Sequence, residues 1–408
     1  MPVEWKIDNP QYHFSQRKDR AKQGMVQLTA SQKYGVITQT EYMERTGANI
    51  VTVQKDFDIL KLVCAGDFVI HMRSFQGGLE YSEKTGSISS AYVMLIPSNT
   101  IREPRYYKWF FKSSNYIDAL SSTSNLVRDG QAMRWSNFIQ LPILFPPAEE
   151  QQRIADFLDA KCAEIDALTA DIQTQIDTLE QYKRSVITET VTKGLDPDAE
   201  MKDSGIQWIG NMPVHWDVIR GKYILRYMQK PVREDDGVIT CFRDGEVTLR
   251  SNRREDGFTM SDKEIGYQGV DVGDLVVHGM DGFAGSIGIS DSRGKASPVL
   301  NVLDTDQCKR YIMYYLRSMA YSDVFLAMAT GIRVRSCDLR WNKLAELFYP
   351  VPPLDEQNAI VEYIDSVLSK VDAVIADKKA QLETLDKYKK SLIFEYVTGK
   401  KEVSEGAD

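Results

Sequence analysis

The sequence lacks the signals of a membrane protein, a disulfide-bonded protein and a metalloprotein. No apolar run reaches the roughly 18 residues of a membrane-spanning helix, and the first six residues lack the charged-then-apolar layout of a secretory signal. The five cysteines contain no C-x-x-C pair, and the four histidines, at positions 13, 71, 215 and 278, lack metal-ligand spacing. These absences predict a cytoplasmic protein with neither a disulfide framework nor a zinc site.

Motifs for cofactor chemistry are also absent. There is no G-x-x-x-x-G-K-[ST] phosphate loop, which argues against ATP hydrolysis by this chain. There is no F-x-G-x-G or [ND]-P-P-[YF] motif of the kind that accompanies methyl transfer from S-adenosylmethionine. Gly279, Gly282 and Gly285 form a G-x-x-G-x-x-G pattern, for which a turn after a strand is favoured over a phosphate cradle. We therefore expect no catalytic residue, no cofactor-binding residue and no metal ligand in this chain.

Charge is distributed unevenly along the 408 residues. The net charge is +4 over residues 1–145, −8 over 146–211, 0 over 212–351 and −4 over 352–408. Two short segments therefore carry the acidity, and the overall charge of −8 does not exclude a basic face on either long segment.

An internal repeat is the strongest feature of the sequence. Residues 146–192 align without a gap with residues 352–398 at an offset of 206, with 20 identities in 47 positions. Met1-Pro2-Val3-x-Trp5 recurs as Met212-Pro213-Val214-x-Trp216. The repeat predicts two copies of one design, each a globular segment followed by a helical one.

Both repeated segments have the pattern of long helices. Each begins with Pro-Pro and acidic residues, as the helix dipole favours, and residues 149–192 would span roughly 66 Å as one helix. Apolar residues at alternating spacings of three and four predict a coiled coil, and the sharper interpretation of the repeat is that the two helices run antiparallel about a pseudo-twofold axis. Its expected seam contains Ile165, Leu168, Ile172, Gln175, Leu179, Val371, Val374, Gln381 and Leu385. Gln175 and Gln381 are either one duplicated, surface-tolerant position or a buried pair that fixes the register.

The segments between the helices predict mixed α+β modules. Short β-type runs follow Gly-Asp at Gly66–Ile70 and Gly273–Val277, and helical stretches lie near Pro104–Leu120 and Lys309–Ala329. His71 and His278 occupy matching places after these strands and suit structural packing or a polar contact to a ligand. The expected boundaries are listed here: module 1–145, helix 146–195, linker 196–211, module 212–351, helix 352–400 and tail 401–408.

Basic and polar residues cluster within the two modules. Lys and Arg neutralise phosphates, and an Arg fork can bind the guanine edge in the major groove. Each cluster is equally compatible with an ordinary solvated surface. The DNA-binding candidates are Arg17, Lys18, Arg20, Lys22, Arg73, Gln76, Arg105 and Lys108 in the first module, and Arg243, Arg250, Arg253, Arg254, Arg333 and Arg335 in the second.

The helical segments resemble those of the specificity subunit of type I restriction-modification enzymes. The resemblance lies in Pro-Pro, Glu-Gln at 150–151 and 356–357, Ile at 154 and 360, and a long helix ending near Tyr-Lys-x-Ser at 182–185 and 388–391. It covers nearly the whole chain, including the order of two modules and two helices. Residues 150, 151, 356 and 357 match the family's pattern at the start of each helix, and we expect them to serve structure or subunit docking.

The resemblance implies a function for each part. Each module would be a target recognition domain that binds one half of a split DNA sequence, and the coiled coil would set the gap between the halves. The helices would dock two modification subunits, which carry S-adenosylmethionine and methylate adenine N6. Restriction subunits would supply ATP-driven and Mg-dependent cleavage, so this chain would itself be non-catalytic.

Two alternatives remain at this point. The chain could be a stand-alone or fused modification-restriction enzyme, which would require a cofactor motif. It could also be a coiled-coil scaffold without a DNA role. Binding of S-adenosylmethionine by the isolated chain would favour the first alternative. If the chain binds DNA through phosphates, its DNA affinity should fall steeply with ionic strength. Failure to bind DNA even with the modification subunit present would favour the second alternative, the scaffold.

Overall fold

A computed structural model describes residues 2–50, 52, 59–71, 74–123, 133–253, 265–328 and 339–403. The chain divides into two compact units. The first combines Met1–Ile172 with Lys379–Asp408, and the second is Gln173–Lys378. Each unit therefore contains one module and part of both long helices.

The first unit begins with ten short strands and five helices. The strands are β1 (Lys6–Asp8), β2 (Phe14–Arg17), β3 (Leu28–Ser31), β4 (Gly35–Thr38), β5 (Lys61–Val63), β6 (Phe68–Ile70), β7 (Glu80–Tyr81), β8 (Gly86–Ile88), β9 (Val93–Pro97) and β10 (Ile143–Phe145). The helices are α1 (Gln39–Thr46), α2 (Ser74–Gly77), α3 (Pro104–Phe110), α4 (Ser114–Ser122) and α5 (Trp135–Phe138), followed by the long helix α6 (Ala148–Lys193).

The second unit repeats this plan. Its strands are β11 (Met201–Asp203), β12 (Asn211–Pro213), β13 (Asp217–Arg220), β14 (Leu225–Tyr227), β15 (Ile239–Cys241), β16 (Val247–Leu249), β17 (Gln268–Val270), β18 (Leu275–His278), β19 (Ile287–Ile289), β20 (Gly294–Ala296), β21 (Leu300–Thr305) and β22 (Phe348–Val351). Its helices are α7 (Gly221–Ile224), α8 (Lys309–Tyr321), α9 (Val324–Ala327), α10 (Trp341–Leu344) and the long helix α11 (Leu354–Val397).

Each module is built on a four-stranded antiparallel sheet with the same topology. The strand order is β2-β9-β6-β7 in the first unit and β14-β21-β18-β19 in the second. The central strand is buried on both faces because its side chains alternate between two cores. Phe68 and Ile70 face the core that includes α3 and α6, whereas Val69 faces a smaller core beneath the β3–β4 hairpin and the β5–β8 pair. In the second unit Leu275 and Val277 alternate in the same way with Val276.

The two long helices pack antiparallel within each unit. In the first unit the ring of Phe157 lies 4.4 Å from that of Tyr396, and Lys389 Nζ binds Asp166 Oδ1 at 2.6 Å. In the second unit Lys183 Nζ binds Asp372 Oδ1 at 2.6 Å. In each unit, α6 residues near the start of the helix contact α11 residues near its end, or the reverse, so the predicted antiparallel pair is confirmed.

The buried stripe of these helices follows the predicted heptad. In α6 it runs through positions 151, 155, 158, 162, 165, 169, 172, 176, 179, 183, 186 and 190, and in α11 through 357, 361, 364, 368, 371, 375, 378, 382, 385, 389 and 392, all of them buried or half-buried. The spacings alternate between four and three residues, which is the pattern of a coiled-coil seam.

The structure corrects part of the predicted seam. Ile165, Ile172 and Val371 are buried, and Leu179 and Leu385 are half-buried. Leu168 and Val374, by contrast, are 48% and 45% exposed, and Gln381 is exposed too. The prediction placed the second seam position three residues after the first, whereas in the structure it lies four residues after, at buried Ile176 and Ile375. The Gln175 side-chain carbonyl accepts a hydrogen bond from Lys378 Nζ, and its pairing with Gln381 stays a prediction.

The stretch predicted as a linker after α6 contains a strand. β11 pairs antiparallel with β12, the strand that leads into Trp216. Within the described residues, no helix is both long and apolar enough to cross a membrane.

Candidate nucleic-acid interface

The start of each long helix is fixed by the same two contacts. The indole N–H of Trp5 donates to Glu150 Oε2 at 2.8 Å, and that of Trp216 donates to Glu356 Oε1 at 3.0 Å. The next residue, Gln151 or Gln357, is buried and donates to the carbonyl five residues earlier, Pro146 or Pro352, at 2.8 Å. These contacts tie the recurring Met-Pro-Val-x-Trp motif and the Pro-Pro turn to the helix, so they have a structural role.

A second repeated contact ties each module to the long helix beside it. Asp159 of α6 accepts from Arg105 at 3.2 Å, from Lys108 at 3.2 Å and from the Trp109 indole at 2.9 Å. Its repeat equivalent Asp365 accepts from Arg310 and from the Tyr314 hydroxyl, each at 2.6 Å.

Two of the DNA-binding candidates are therefore already engaged within the protein. Arg105 also pairs with Glu103 and Asp156, and the hydrogen bonds that it donates to Glu103 are the main reason its pKa is raised above the ordinary value. Carboxylates of α6 and of the start of α3 thus pair with both cations, and the assignment of Arg105 and Lys108 as DNA contacts stays a prediction.

Arg17 is also committed to the protein interior. Its Nε and Nη2 bind the two carboxylate oxygens of Asp67 at 2.7 and 2.9 Å, and Asp67 is only 2% exposed. In the second unit Lys230 occupies the corresponding place on buried Asp274, at 2.7 Å. A buried carboxylate requires such a partner, so pairing with the aspartate of the Gly-Asp motif gives Arg17 a structural role, and its assignment as a DNA contact stays a prediction.

Four candidates of the first module remain on its surface. Lys18, Arg20 and Lys22 are exposed around the end of β2, and Arg20 Nη1 donates to the Ile59 carbonyl at 3.0 Å. Gln76 is exposed on α2. Arg73, Arg254, Arg333 and Arg335 lie outside the described residues, so their assignment stays a prediction.

The candidates of the second module gather at one hairpin, β15–β16. Arg253 stacks on the Phe242 ring, with its guanidinium carbon 4.2 Å from the ring centroid, and pairs with Asp244 and Glu246 at 2.8 and 2.9 Å. Arg243, which follows Phe242, pairs with Asp281 at 3.1 Å. Arg250 Nε donates to Thr240 Oγ1 at 3.3 Å. The structure thus brings three of the predicted cations together on one element.

Sequence analysis missed the corresponding group in the first module. Tyr34 stands at the turn of the β3–β4 hairpin, and both Lys33 Nζ and the Arg45 guanidinium carbon lie 5.2 Å from its ring centroid. Arg45 belongs to α1, eleven residues along the chain, so no run of basic residues marked it. The signal that could have found it is the repeat itself, because a hairpin followed by an arginine occurs at matching places in both modules.

The histidines have no metal-like arrangement. His278 Nδ1 accepts hydrogen bonds from the backbone N–H groups of Met280 and Asp281, at 3.2 and 2.9 Å, and so supports the turn that leads through Gly282–Ala284. His71 is buried beside Glu80, with 3.6 Å between Nε2 and Oε1. Among the residues that the structure describes, no group of three His, Cys, Asp or Glu side chains could hold a metal ion.

Comparison with known proteins points in one direction. The family described as "Type I restriction modification DNA specificity domain" matches residues 13–178. Two relatives come from Methanocaldococcus jannaschii. The putative type I restriction enzyme MjaX specificity subunit is 24% identical over 76% of this chain and 70% of its own length. The type I restriction enzyme MjaVIII specificity subunit is 23% identical over 83% of this chain and 80% of its own length.

A solved structure supports the fold over the full length. A chain from a study of complex assembly and conformational transition of the type I R-M system covers 97% of this chain and 98% of its own, with a TM-score of 0.68 and 14% identity. At this level of identity the likeness concerns the fold, and it spans both modules and both long helices.

Proposed function

We propose that this chain, which is similar to type I restriction-modification specificity subunits, directs DNA methylation to a bipartite sequence. Each module, within 1–145 and 212–351, binds one half of the target. The long helices, within 146–195 and 352–400, set the gap between the halves, while 196–211 connects the copies and 401–408 is a tail. The chain supplies sequence specificity and performs no chemistry itself.

The duplication of one module is the observation that carries this proposal. Both units contain the same four-stranded sheet, the same Trp–Glu contact at a helix start and the same aspartate clamp between module and helix. Two similar binding modules on one chain suit a target with two separate halves, because each half needs its own set of base contacts.

The partners follow from the same proposal. Two modification subunits dock on the helical segments and carry S-adenosylmethionine, and restriction subunits supply the chemistry that uses ATP and Mg²⁺. The net charge of −8 over 146–211 and −4 over 352–408 suits docking of protein better than contact with phosphates. The protein acts in the cytoplasm, where its partners and the DNA are found.

The test is a map of N6-methyladenine across the genome of a methylation-free host. Co-expression of this chain with its modification subunit should produce one bipartite motif, and the modification subunit alone should produce none. Absence of any motif with both subunits present, together with DNA binding that is undetectable at low salt, would reject the proposal in favour of a scaffold. Tight binding of S-adenosylmethionine by the isolated chain would instead favour an enzyme.

A further inference from the structure

Each module holds one β-hairpin on a small core of its own. The β3–β4 hairpin places Leu28 and Val36 in the smaller core of the first unit, and β15–β16 places Ile239, Cys241 and Val247 in that of the second. These cores lie on the far side of the central strand from the core that contains the long helices. The hairpins are therefore the elements of each module that face away from its helix-packed core.

The turn of each hairpin carries an aromatic ring under an arginine that follows the second strand. In the first unit Arg45 lies over Tyr34, and in the second Arg253 lies over Phe242. Lys33 adds a further cation to the first turn, and neither Lys33 nor Arg45 forms an ion pair with any described residue. This arrangement occurs in both copies although the two hairpin sequences share little.

Both turns pack closely against elements that follow the central strand. In the second unit Arg317 of α8 donates to the carbonyls of Gly245 and Ile287, each at 2.8 Å, and a Cβ on Gly288 of β19 would lie 2.0 Å from the Gly245 oxygen. In the first unit a Cβ on Gly77 of α2 would lie 2.7 Å from the side-chain Cγ of Gln32, the residue that begins the turn. This packing supports each turn on the module, as a binding element on a scaffold requires.

The guanidinium of Arg253 is held in place through one nitrogen, and its other donors remain available. Its nearest contacts to Asp244 and Glu246 are made by Nη1, and within the described chain neither Nε nor Nη2 donates a hydrogen bond. The stacked ring and the two carboxylates hold the plane of the group, so its remaining edge presents two parallel N–H donors. That edge matches the O6 and N7 acceptors of guanine in the major groove, which is wide enough to admit a two-stranded β-ribbon.

We propose that the β3–β4 and β15–β16 hairpins are the base-reading elements of the two modules, with Arg45 and Arg253 as their guanine-binding residues. Tyr34 and Phe242 are positioning residues that hold these arginines. This inference rests on the proposed function, since it names the side chains through which each module recognises its half of the target.

The test compares methylation motifs after substitution, with the full chain co-expressed with its modification subunit. Arg253→Ala should relax one G·C position in one half-site, with roughly tenfold to hundredfold loss of discrimination there. Arg253→Lys should relax the same position, because an ammonium keeps the charge but not the fork. Arg45→Ala should relax a position in the other half-site. The matched control is Arg226→Ala, in which both terminal nitrogens are already bound to Asp304 and Asp306, and which should leave the motif unchanged.

The outcomes distinguish failure of the hairpin assignment from failure of the proposed specificity function. A motif unchanged by Arg253→Ala and Arg45→Ala, with wild-type methylation intact, would overturn the hairpin assignment and leave the specificity function standing. Rescue of the motif by Arg253→Lys would make Arg253 a phosphate contact and would also overturn it. Absence of any motif with the wild-type chain would reject the function. Thermal unfolding of each variant shows that a relaxed motif does not reflect a misfolded module.

Discussion

At the residue scale, one hydrogen bond ties the first turn of each long helix to the Met-Pro-Val-x-Trp motif. Trp5 is 4% exposed, and its indole N–H donates to Glu150. Glu150→Ala would leave this donor buried without an acceptor, which should cost about 1–3 kcal/mol of unfolding free energy. Urea unfolding followed by tryptophan fluorescence measures the loss. Glu149→Ala, at an exposed neighbouring carboxylate, is the matched control, and equal losses in both variants would contradict the role of the contact.

His278 makes a second prediction at this scale. Burial is the main cause that lowers the pKa of His278 below 6.5. The negative charge of Asp281 opposes this shift, and the positive charge of Arg243 adds to it. The folded state therefore favours the neutral ring, whose Nδ1 accepts from two backbone N–H groups. The stability that the neutral ring contributes is fully present above the pKa of histidine in the unfolded chain, near 6.5. It is lost as the pH falls through the lower pKa of His278 in the folded state. The protection of the Met280 and Asp281 amides from exchange, measured relative to an unstructured peptide at the same pH, should fall between pH 7.5 and 5.5.

A variant can isolate this titration. His278→Asn retains an acceptor oxygen near the position of Nδ1 and cannot take up a proton, so it should remove the pH dependence of protection at these two amides. An unaltered fall in protection in His278→Asn would assign the effect to another group.

Individual contacts were the hardest feature to predict from sequence. Arg17 and Lys18 are neighbours of like charge, yet one is bound to buried Asp67 and the other is exposed. Composition cannot separate them, because the distinction depends on a carboxylate fifty residues away. Arg45 was missed for the same reason, since its aromatic partner lies on a different element.

At the element scale, the seam in the structure and the seam predicted from sequence differ in the expected effects of four substitutions. Ile176→Ala and Ile375→Ala remove buried side chains from the helix pair and should each cost about 2–5 kcal/mol. Leu168→Ala and Val374→Ala alter exposed positions and should change stability by less than about 0.5 kcal/mol. Urea denaturation of the four variants measures this, and larger losses at Leu168 and Val374 would return these two residues to the seam.

The long helices were easier to predict than the strands of the modules, for a physical reason. Helices of 46 and 44 residues repeat a local period many times, so an error of one residue in a seam position leaves the predicted helix unchanged. The strands are three to six residues long, apart from the two-residue β7. Their pairing joins segments distant in sequence, such as β2 with β9. Only the Gly-Asp strands, buried on both faces, were marked by composition alone.

At the scale of the whole molecule, the helix pair should act as a ruler for the DNA target. Gln175 lies opposite Lys378, so duplicating residues 170–176 after Ile176 and residues 372–378 after Lys378 adds matched segments to the two antiparallel helices. Seven residues preserve the heptad seam and add about 10 Å at about 1.5 Å per residue. The gap between half-sites should therefore lengthen by about three base pairs, at about 3.4 Å each.

Methylation mapping of this double insertion tests whether the helices set the gap while the modules set the bases. The bases of both half-sites should stay as in the wild type, because neither hairpin nor its small core is altered. A matched insertion of five residues in each helix would rotate the following apolar positions by about 140°, at about 3.6 residues per turn, so that variant should be less stable for a smaller change in gap. Altered half-site bases with an unchanged gap would mean that the helices take part in recognition, and the division of labour between helices and modules would then fail.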